Sequence, residues 1–171
     1  MRIETARLTL RPAREGDLDD MHAVLSSPQA MRWWSTPPHE TAEQTREWLG
    51  AMITGGDAGL DLVIEREGRV IGKAGFYRPP DMGYILHPEH WGLGLATEAL
   101  TAVLDRFFST TDHAQATADV DPENAASIRV VQRLGFVQTG FAERTWNVGG
   151  EWKDSVYFAL SREDWRARTR P

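Results

Sequence analysis

The stretch His90-Trp91-Gly92-Leu93-Gly94-Leu95-Ala96-Thr97-Glu98-Ala99 decides how the rest of the chain is read. It follows an apolar, strand-like run and opens into a helical stripe of Ala99, Leu100, Val103, Leu104, Phe107 and Phe108. Two glycines at such a junction let backbone approach a ligand closely, because neither carries a Cβ. The helix start behind them offers N–H groups without intrahelical partners and the positive end of a dipole. Strand, glycine turn and helix together can hold a phosphate or pyrophosphate, so a phosphate-bearing cofactor is expected. Two common phosphate loops do not fit. No Lys-Ser or Lys-Thr pair follows a glycine, as a P-loop requires. The third glycine of a dinucleotide fingerprint is replaced by Thr97. The alternative is a helix entry whose glycines only turn the chain.

Outward from this loop, Leu60–Ile64 and Val70–Phe76 read as a hairpin around Glu67-Gly68, and Pro79-Pro80 makes a corner before a strand over Gly83–His87. Beyond the long helix lie a buried strand, Ala116–Val120, and a shorter helix, Glu123–Arg133, ended by Gly135. Phe136–Trp146 and Val156–Leu160 form a closing hairpin around Asn147-Val148-Gly149-Gly150, and the Arg-rich end, Arg162 to Arg170, reads as a solvated helix. Toward the start, Arg7-Leu8-Thr9-Leu10-Arg11 alternates as a first strand. Asp17 is placed to cap a helix carrying Leu18, Met21, His22 and Leu25, and Ser26-Ser27-Pro28 breaks it. Trp33-Trp34-Ser35-Thr36-Pro37-Pro38 reads as non-helical, and Thr41 caps a second helix that stops at Gly55-Gly56. The order is strand, two helices, three strands, helix, strand, helix, two strands. That is a mixed α/β chain with a sheet flanked by helices, and one domain over residues 1–171.

Composition narrows the function classes. The absence of cysteine excludes disulfides, Cys-based metal sites and a thiol nucleophile. A net charge of −6 argues against a general nucleic-acid binder and suits a cationic amine substrate. No run approaches the ~20 apolar residues that span a bilayer, and Met1–Arg7 carries no apolar signal region. A cytoplasmic enzyme without membrane or nucleic-acid partners is expected, and no residue pattern supports a metal.

Three further motifs specify the cofactor. Asp81-Met82-Gly83-Tyr84-Ile85-Leu86-His87-Pro88 precedes the loop, and Asn124-Ala125-Ala126-Ser127 and Leu134-Gly135-Phe136 follow it. In this order the chain resembles the GNAT superfamily of acyl-CoA-dependent N-acyltransferases, and within it the branch of ribosomal-protein N-terminal (alanine) acetyltransferases. The resemblance runs from Glu4-Thr5-Ala6-Arg7-Leu8 to Tyr157-Phe158-Ala159-Leu160. It implies a single-domain GNAT fold: a mostly antiparallel twisted sheet with one splayed parallel pair, Tyr84–His87 against Ala116–Val120. It implies acetyl-CoA as co-substrate, with pantetheine on the backbone of Ile85, Leu86 and His87. The pyrophosphate is then expected on Gly92, Leu93, Gly94, Leu95, Ala96 and Thr97, with Asn124 bonding pantetheine through its amide.

The same resemblance implies direct acetyl transfer to a primary amine. The amine must lose a proton, the tetrahedral oxyanion needs a donor, and the departing thiolate needs a proton or hydrogen bond. Asp81 stands at the family's acidic position and is the candidate base. Glu98, in the first helical turn, reads as a structural partner of the dipole. The tyrosine many relatives place four residues after Ser127 is here Val131, which leaves Ser127 as the candidate partner of the thiolate. His87 and His90 read as strand-end and helix-entry residues. Trp33 and Trp34 are expected to line the acceptor groove; Trp146, Trp152, Arg78 and Arg144 are further candidates there. A protein N-terminus is the acceptor the branch implies. A small-molecule amine (polyamine, amino acid, antibiotic) is the alternative within the class, and a non-catalytic acyl-CoA-binding domain the alternative outside it. The closing hairpin implies a homodimer.

Overall fold

The computed structural model describes residues 1–55 and 60–169. An eight-stranded sheet forms the framework, in the order β1-β2-β3-β4-β5-β6-β8-β7. Its strands are β1 (Ile3–Glu4), β2 (Thr9–Arg11), β3 (Asp61–Arg66), β4 (Arg69–Arg78), β5 (Asp81–Leu86), β6 (Gln115–Val120), β7 (Val137–Val148) and β8 (Glu151–Ser161). Helices α1 (Leu18–Leu25) and α2 (Ala42–Gly55) cover one face. Helices α3 (Leu95–Thr110), α4 (Ala125–Arg133) and α5 (Arg162–Thr169) pack on the other.

Each face has its own core. Val63, Val70 and Ile85 meet Met21, Val24, Leu25 and Leu49 beneath α1 and α2. Leu62, Ile64, Phe76 and Leu86 meet Leu100, Val103, Leu104 and Phe107 of α3 on the opposite face, where the Phe76 and Phe107 rings stack at 3.8 Å between centroids. The α3 stripe is thus buried as its 3.6-residue period demands. Glu67 (φ 52°) and Gly68 (φ 79°) both adopt the left-handed region that a two-residue hairpin turn requires. Gly135 (φ 98°) ends α4 as a glycine beyond the helix should.

The sheet pairs antiparallel throughout except between β5 and β6. That parallel ladder holds only Asp81 against Thr117 and Met82 against Ala118. Beyond it β5 continues to Leu86 and β6 to Val120 without pairing, so the two strands splay into a V.

Several local expectations need correcting. Strand β2 is only Thr9–Arg11, and an additional edge strand, Ile3–Glu4, pairs with it. Asp17 precedes α1 but its side chain does not cap it. Its carboxylate instead takes a bidentate pair from Arg11, at 2.8 and 2.9 Å, in a buried cluster with Glu65. A buried guanidinium left without carboxylates costs more than a missing cap, which is why the ion pair wins. Trp33 closes a 3-10 turn, Ala30–Trp33, rather than opening an irregular segment. The terminal helix is not wholly solvated: Trp165 is buried in the α3-side core and donates its indole N–H to Asp105 at 2.9 Å. Gly56 and Arg170 lie outside the described residues.

Candidate active site

The V between β5 and β6 opens into one cavity of roughly 800 Å3 that runs through the sheet from the α3–α4 face to the α1–α2 face. Its two halves are built differently.

The cofactor half is mostly backbone. Gly92 (φ 73°) and Gly94 (φ 74°) are both left-handed, and a Cβ on Gly92 would meet nothing within 4 Å, so the loop stands open to a ligand. The first α3 hydrogen bond runs from Glu98 N–H to the Gly94 carbonyl at 3.1 Å. The N–H groups of Leu95, Ala96 and Thr97 therefore project forward without intrahelical acceptors, as a pyrophosphate requires. Gly92, Gly94, Leu95, Ala96 and Thr97 line the cavity; Leu93 does not. The Leu93 carbonyl turns away and accepts from Arg7 Nη1 at 2.9 Å.

That Arg7 contact belongs to a clamp. Arg7 donates through its backbone N–H (2.8 Å) and Nε (2.7 Å) to the Glu98 carboxylate, which also accepts from Thr5 Oγ1 at 2.6 Å. Burial pushes the Glu98 carboxyl up, but the hydrogen bonds from Thr5 and Arg7 outweigh it and hold the group below the usual carboxylate range. Glu98 is structural, as expected, but its partner is the N-terminal segment as well as the helix dipole.

Alternation along β5 determines which backbone groups face the gap. His87 N–H donates to Ile71 of β4 at 2.8 Å, while on the other edge Thr117 N–H of β6 reaches Pro80 at 2.9 Å. In an antiparallel pair the residues bonded to one neighbour alternate with those facing away. The polar backbone of Ile85 and His87 therefore turns to β4, and that of Tyr84 and Leu86 to the gap. Of Ile85, Leu86 and His87, the residues expected along pantetheine, only Leu86 turns its polar backbone to the gap. The Leu86 carbonyl already accepts the Trp91 indole N–H at 2.9 Å, which fixes the loop to the strand. Ile85 and Leu86 line the cavity, whereas His87 does not.

From α4, Asn124 accepts Ser127 N–H through Oδ1 at 3.1 Å. This caps the helix and leaves the Asn124 amide N–H groups free to donate into the cavity. Ser127 Oγ accepts the Tyr84 hydroxyl at 3.0 Å, across the gap from α4 to β5. Burial pushes the Tyr84 phenol up, against a smaller opposing effect of Ser127, so it stays a neutral donor. Val131, where many relatives place a tyrosine, is a buried core residue here, and the phenol that reaches Ser127 comes instead from the strand. Gly83-Tyr84 was legible as a motif, but only the splay shows where the phenol points.

The acceptor half is mostly side chains from distant elements. Trp33, Trp34 and Trp48 line it from α2 and the turn before it, with Tyr77, Asp61 and Lys73 on the sheet and Asp119 and Trp146 at the far wall. Trp146 donates its indole N–H to Asp119 at 2.9 Å. Trp152 is outside the lining and lies beneath Arg144, 5.1 Å from the ring centroid. Arg78 pairs with Asp81 at 3.2 Å.

Asp81 sits at the closed end of the V, outside the cavity lining, where its carboxylate accepts from Thr117 Oγ1 at 2.7 Å. His90 reaches the lining near the loop; burial pushes its imidazole below the ordinary value. Among the described residues no cluster of three or more His, Cys, Asp or Glu could hold a metal. No helix among them is long and apolar enough to cross a membrane.

Comparison with known proteins agrees with this geometry. The model of the acetyltransferase (GNAT) domain matches residues 7–137. An uncharacterized N-acetyltransferase, p20, of Bacillus licheniformis is 26% identical over 173 aligned residues, covering 95% of this chain and 97% of its own. Among solved structures, a spermidine N-acetyltransferase from Vibrio cholerae in complex with CoA and spermine superposes with a TM-score of 0.81 at 22% identity, covering 95% of this chain and 99% of that one. RimL, a ribosomal alpha-N-protein acetyltransferase in complex with coenzyme A, gives 0.82 at 20% identity, covering 96% and 99%. The family match spans most of the chain and its motifs fall on the V, the glycine loop and α4: the protein belongs to the GNAT acetyltransferase family and is an N-acetyltransferase.

Proposed function

We propose that the protein transfers the acetyl group of acetyl-CoA directly to a primary amine inside this cavity. The observation that carries the reading is the passage through the sheet, with unpaired strand backbone and the Tyr84–Ser127 pair at its waist. Acetyl-CoA supplies an activated thioester. Gly92 and Gly94 admit its pyrophosphate, the N–H groups of Leu95, Ala96 and Thr97 hold it, and Asn124 donates to pantetheine. The gap-facing N–H groups of Tyr84 and Leu86 are oriented to stabilise the oxyanion of the tetrahedral intermediate. Because Tyr84 donates to Ser127 Oγ, the Ser127 hydrogen is left to meet the departing thiolate. Asp81 fits a supporting role: tied by Thr117 and Arg78, it holds the closed end of the V. Before it attacks, the amine loses its proton through water to one of the cavity carboxylates, of which Asp61 and Asp119 face the acceptor half.

The test has two parts. Acetyl-CoA at 100 times its dissociation constant is expected to add ~2.7 kcal/mol of stability in thermal unfolding, with no comparable effect of ATP or NAD. Thiol release is then followed with a panel of amines: N-terminal peptides, polyamines and amino acids. Stabilisation without thiol release from any amine supports the non-catalytic reading instead. A homodimer through the closing hairpin is supported by the exposed Val137 and Phe141 on β7, and light scattering tests it.

A further inference from the structure

Among the described residues, Lys73 is the one basic side chain lining the cavity that is almost completely buried, with 3% of its side chain exposed. A lysine rarely takes such a position unless paired. Its ammonium makes an ion pair with Asp61, Nζ to Oδ1 at 2.5 Å, and lies 5.8 Å from the Trp34 ring centroid and 5.9 Å from that of Tyr77. Among the described residues Asp61 is its only charged partner. An ammonium has three donors, so the pair leaves hydrogen-bonding capacity directed at the cavity. Both residues sit on the α1–α2 side of the sheet, next to Ile85 of the splayed strand and opposite the glycine loop. Pantetheine phosphates are therefore not what this cation meets.

Resting on the acetyltransferase reading, we infer that Lys73 and Asp61 recognise the acceptor, and that the acceptor is an amine carrying a carboxylate close to it: an amino-acid head group. The two protein charges are in contact. The ligand that complements them places its own opposite charges equally close, the carboxylate on Lys73 and the ammonium on Asp61. The four charges then alternate around one small square. A polyamine offers only further cations; these can reach Asp119, Asp121 or Asp154 elsewhere in the lining, but none of them gives the buried Lys73 ammonium a partner. Asp61 in this arrangement also holds the acceptor nitrogen beside the gap, where that nitrogen must lose a proton before it attacks. A site built around a buried polar group discriminates strongly against ligands that leave that group unpaired.

The experiment measures acetyl-CoA-dependent thiol release by the whole protein with matched acceptors: free amino acids, the same amino acids with the carboxylate converted to amide, the corresponding decarboxylated amines, and spermidine. Amidation or decarboxylation is expected to lower kcat/KM about tenfold or more, chiefly through KM, which is the range of a charge-assisted hydrogen bond. Lys73→Gln is expected to erase that preference by weakening only the free acids, while acetyl-CoA stabilisation in thermal unfolding stays unchanged. Wild-type kinetics decide the matter even if the variant folds poorly. Equal or better turnover of the amides or of spermidine overturns the inference while leaving the acetyltransferase reading intact. Turnover of N-terminal peptides alone overturns the inference and leaves the acetyltransferase reading intact; absence of thiol release from these amines and from N-terminal peptides, with acetyl-CoA still bound, overturns that reading and this inference with it.

Discussion

The two halves of the cavity solve different problems with different materials. On the α3–α4 side, the groups on offer are N–H groups whose positions follow from two left-handed glycines and a helix start. These elements are close in sequence, from Gly92 to Thr97; Tyr84 and Leu86 join them from β5, and Asn124 and Ser127 from α4. On the α1–α2 side, the lining is built from side chains drawn from six separate segments: Trp34, Trp48, Asp61, Lys73, Asp119 and Trp146. Backbone can hold phosphate whatever the side chains are, so the first half tolerates variation at the exposed Leu93, while Leu95 is fixed by the core beneath it. The second half has no such constancy, and each side chain there alters which amine fits. A fold shared by enzymes with different acceptors is the expected consequence.

The comparison is broken most severely at Gly94. Gly94→Ala forces an ordinary residue to φ 74° at the helix start, where its Cβ meets only Arg7 Nη2 at 3.7 Å. The left-handed conformation costs about 1–2 kcal/mol. Gly94→Glu carries the same strain and adds a carboxylate to the pyrophosphate site. The expected outcome is a folded Gly94→Glu protein with no acetyl-CoA stabilisation, beside a Gly94→Ala protein that keeps most of it. Equal behaviour of the two variants in thermal unfolding with acetyl-CoA would mean that charge at this loop is irrelevant.

Next in size is the waist. Ser127→Ala removes the hydroxyl proposed to meet the thiolate, and general acid help is typically worth ~10²–10⁴-fold. The rate constant and kcat/KM should fall together, with acetyl-CoA affinity little changed. Tyr84→Phe should fall in the same direction, because it withdraws the donor that orients Ser127. If the two act as one unit, the double variant is no slower than Ser127→Ala alone. Additive losses would separate the phenol from the serine.

A smaller effect is expected where the cofactor loop is held from behind. Glu98→Gln weakens the clamp of Thr5 and Arg7, and Arg7→Ala frees the Leu93 carbonyl. Either change should raise KM for acetyl-CoA by about tenfold, one to two hydrogen bonds' worth, and leave acceptor KM alone. The pH dependence has a definite sign. The Glu98 carboxyl is held below its ordinary value in the folded protein. Its contribution is therefore present above the unfolded carboxylate range and is lost as pH falls through the lower folded value. Acetyl-CoA affinity should weaken on acidification in the wild type, and Glu98→Gln should flatten that part of the profile.

What was legible in the sequence follows the same division. The long amphipathic helix, the Glu67-Gly68 turn and the glycine loop were readable because period, turn chemistry and glycine each act locally. The V was legible only through family resemblance, since nothing local says that a parallel ladder stops after two residue pairs. Of the strand-edge residues expected along pantetheine only Leu86 faces the gap, because alternation depends on the partner strand. Asp17 looked like a cap because capping is a local rule, and Arg11 overruled it through a contact made only in the folded chain. Lys73 and Asp61 lie on neighbouring strands in a hairpin, but nothing in their spacing marks them as buried together. Tyr84 was quoted as part of a motif without its hydroxyl being assigned, because its partner Ser127 is 43 residues away.

The finest test of the division is at Trp34. Its ring is half-buried, lines the acceptor half and lies 5.8 Å from the Lys73 ammonium. A cation over an aromatic face is worth about 0.5–1 kcal/mol at a partly exposed site, which corresponds to roughly a two- to fivefold change. Trp34→Leu keeps an apolar wall but removes the π-face. The acceptor KM should rise by that modest factor, while the acetyl-CoA dissociation constant, measured by titration in the absence of amine, should not move. Trp34 is only partly buried where it packs against the α1–α2 core, and leucine keeps part of that contact, so the variant should lose little stability. A parallel loss of acetyl-CoA affinity would show that the two halves are coupled through Ile85 and the splayed strand, and the cavity would then have to be treated as one site rather than two.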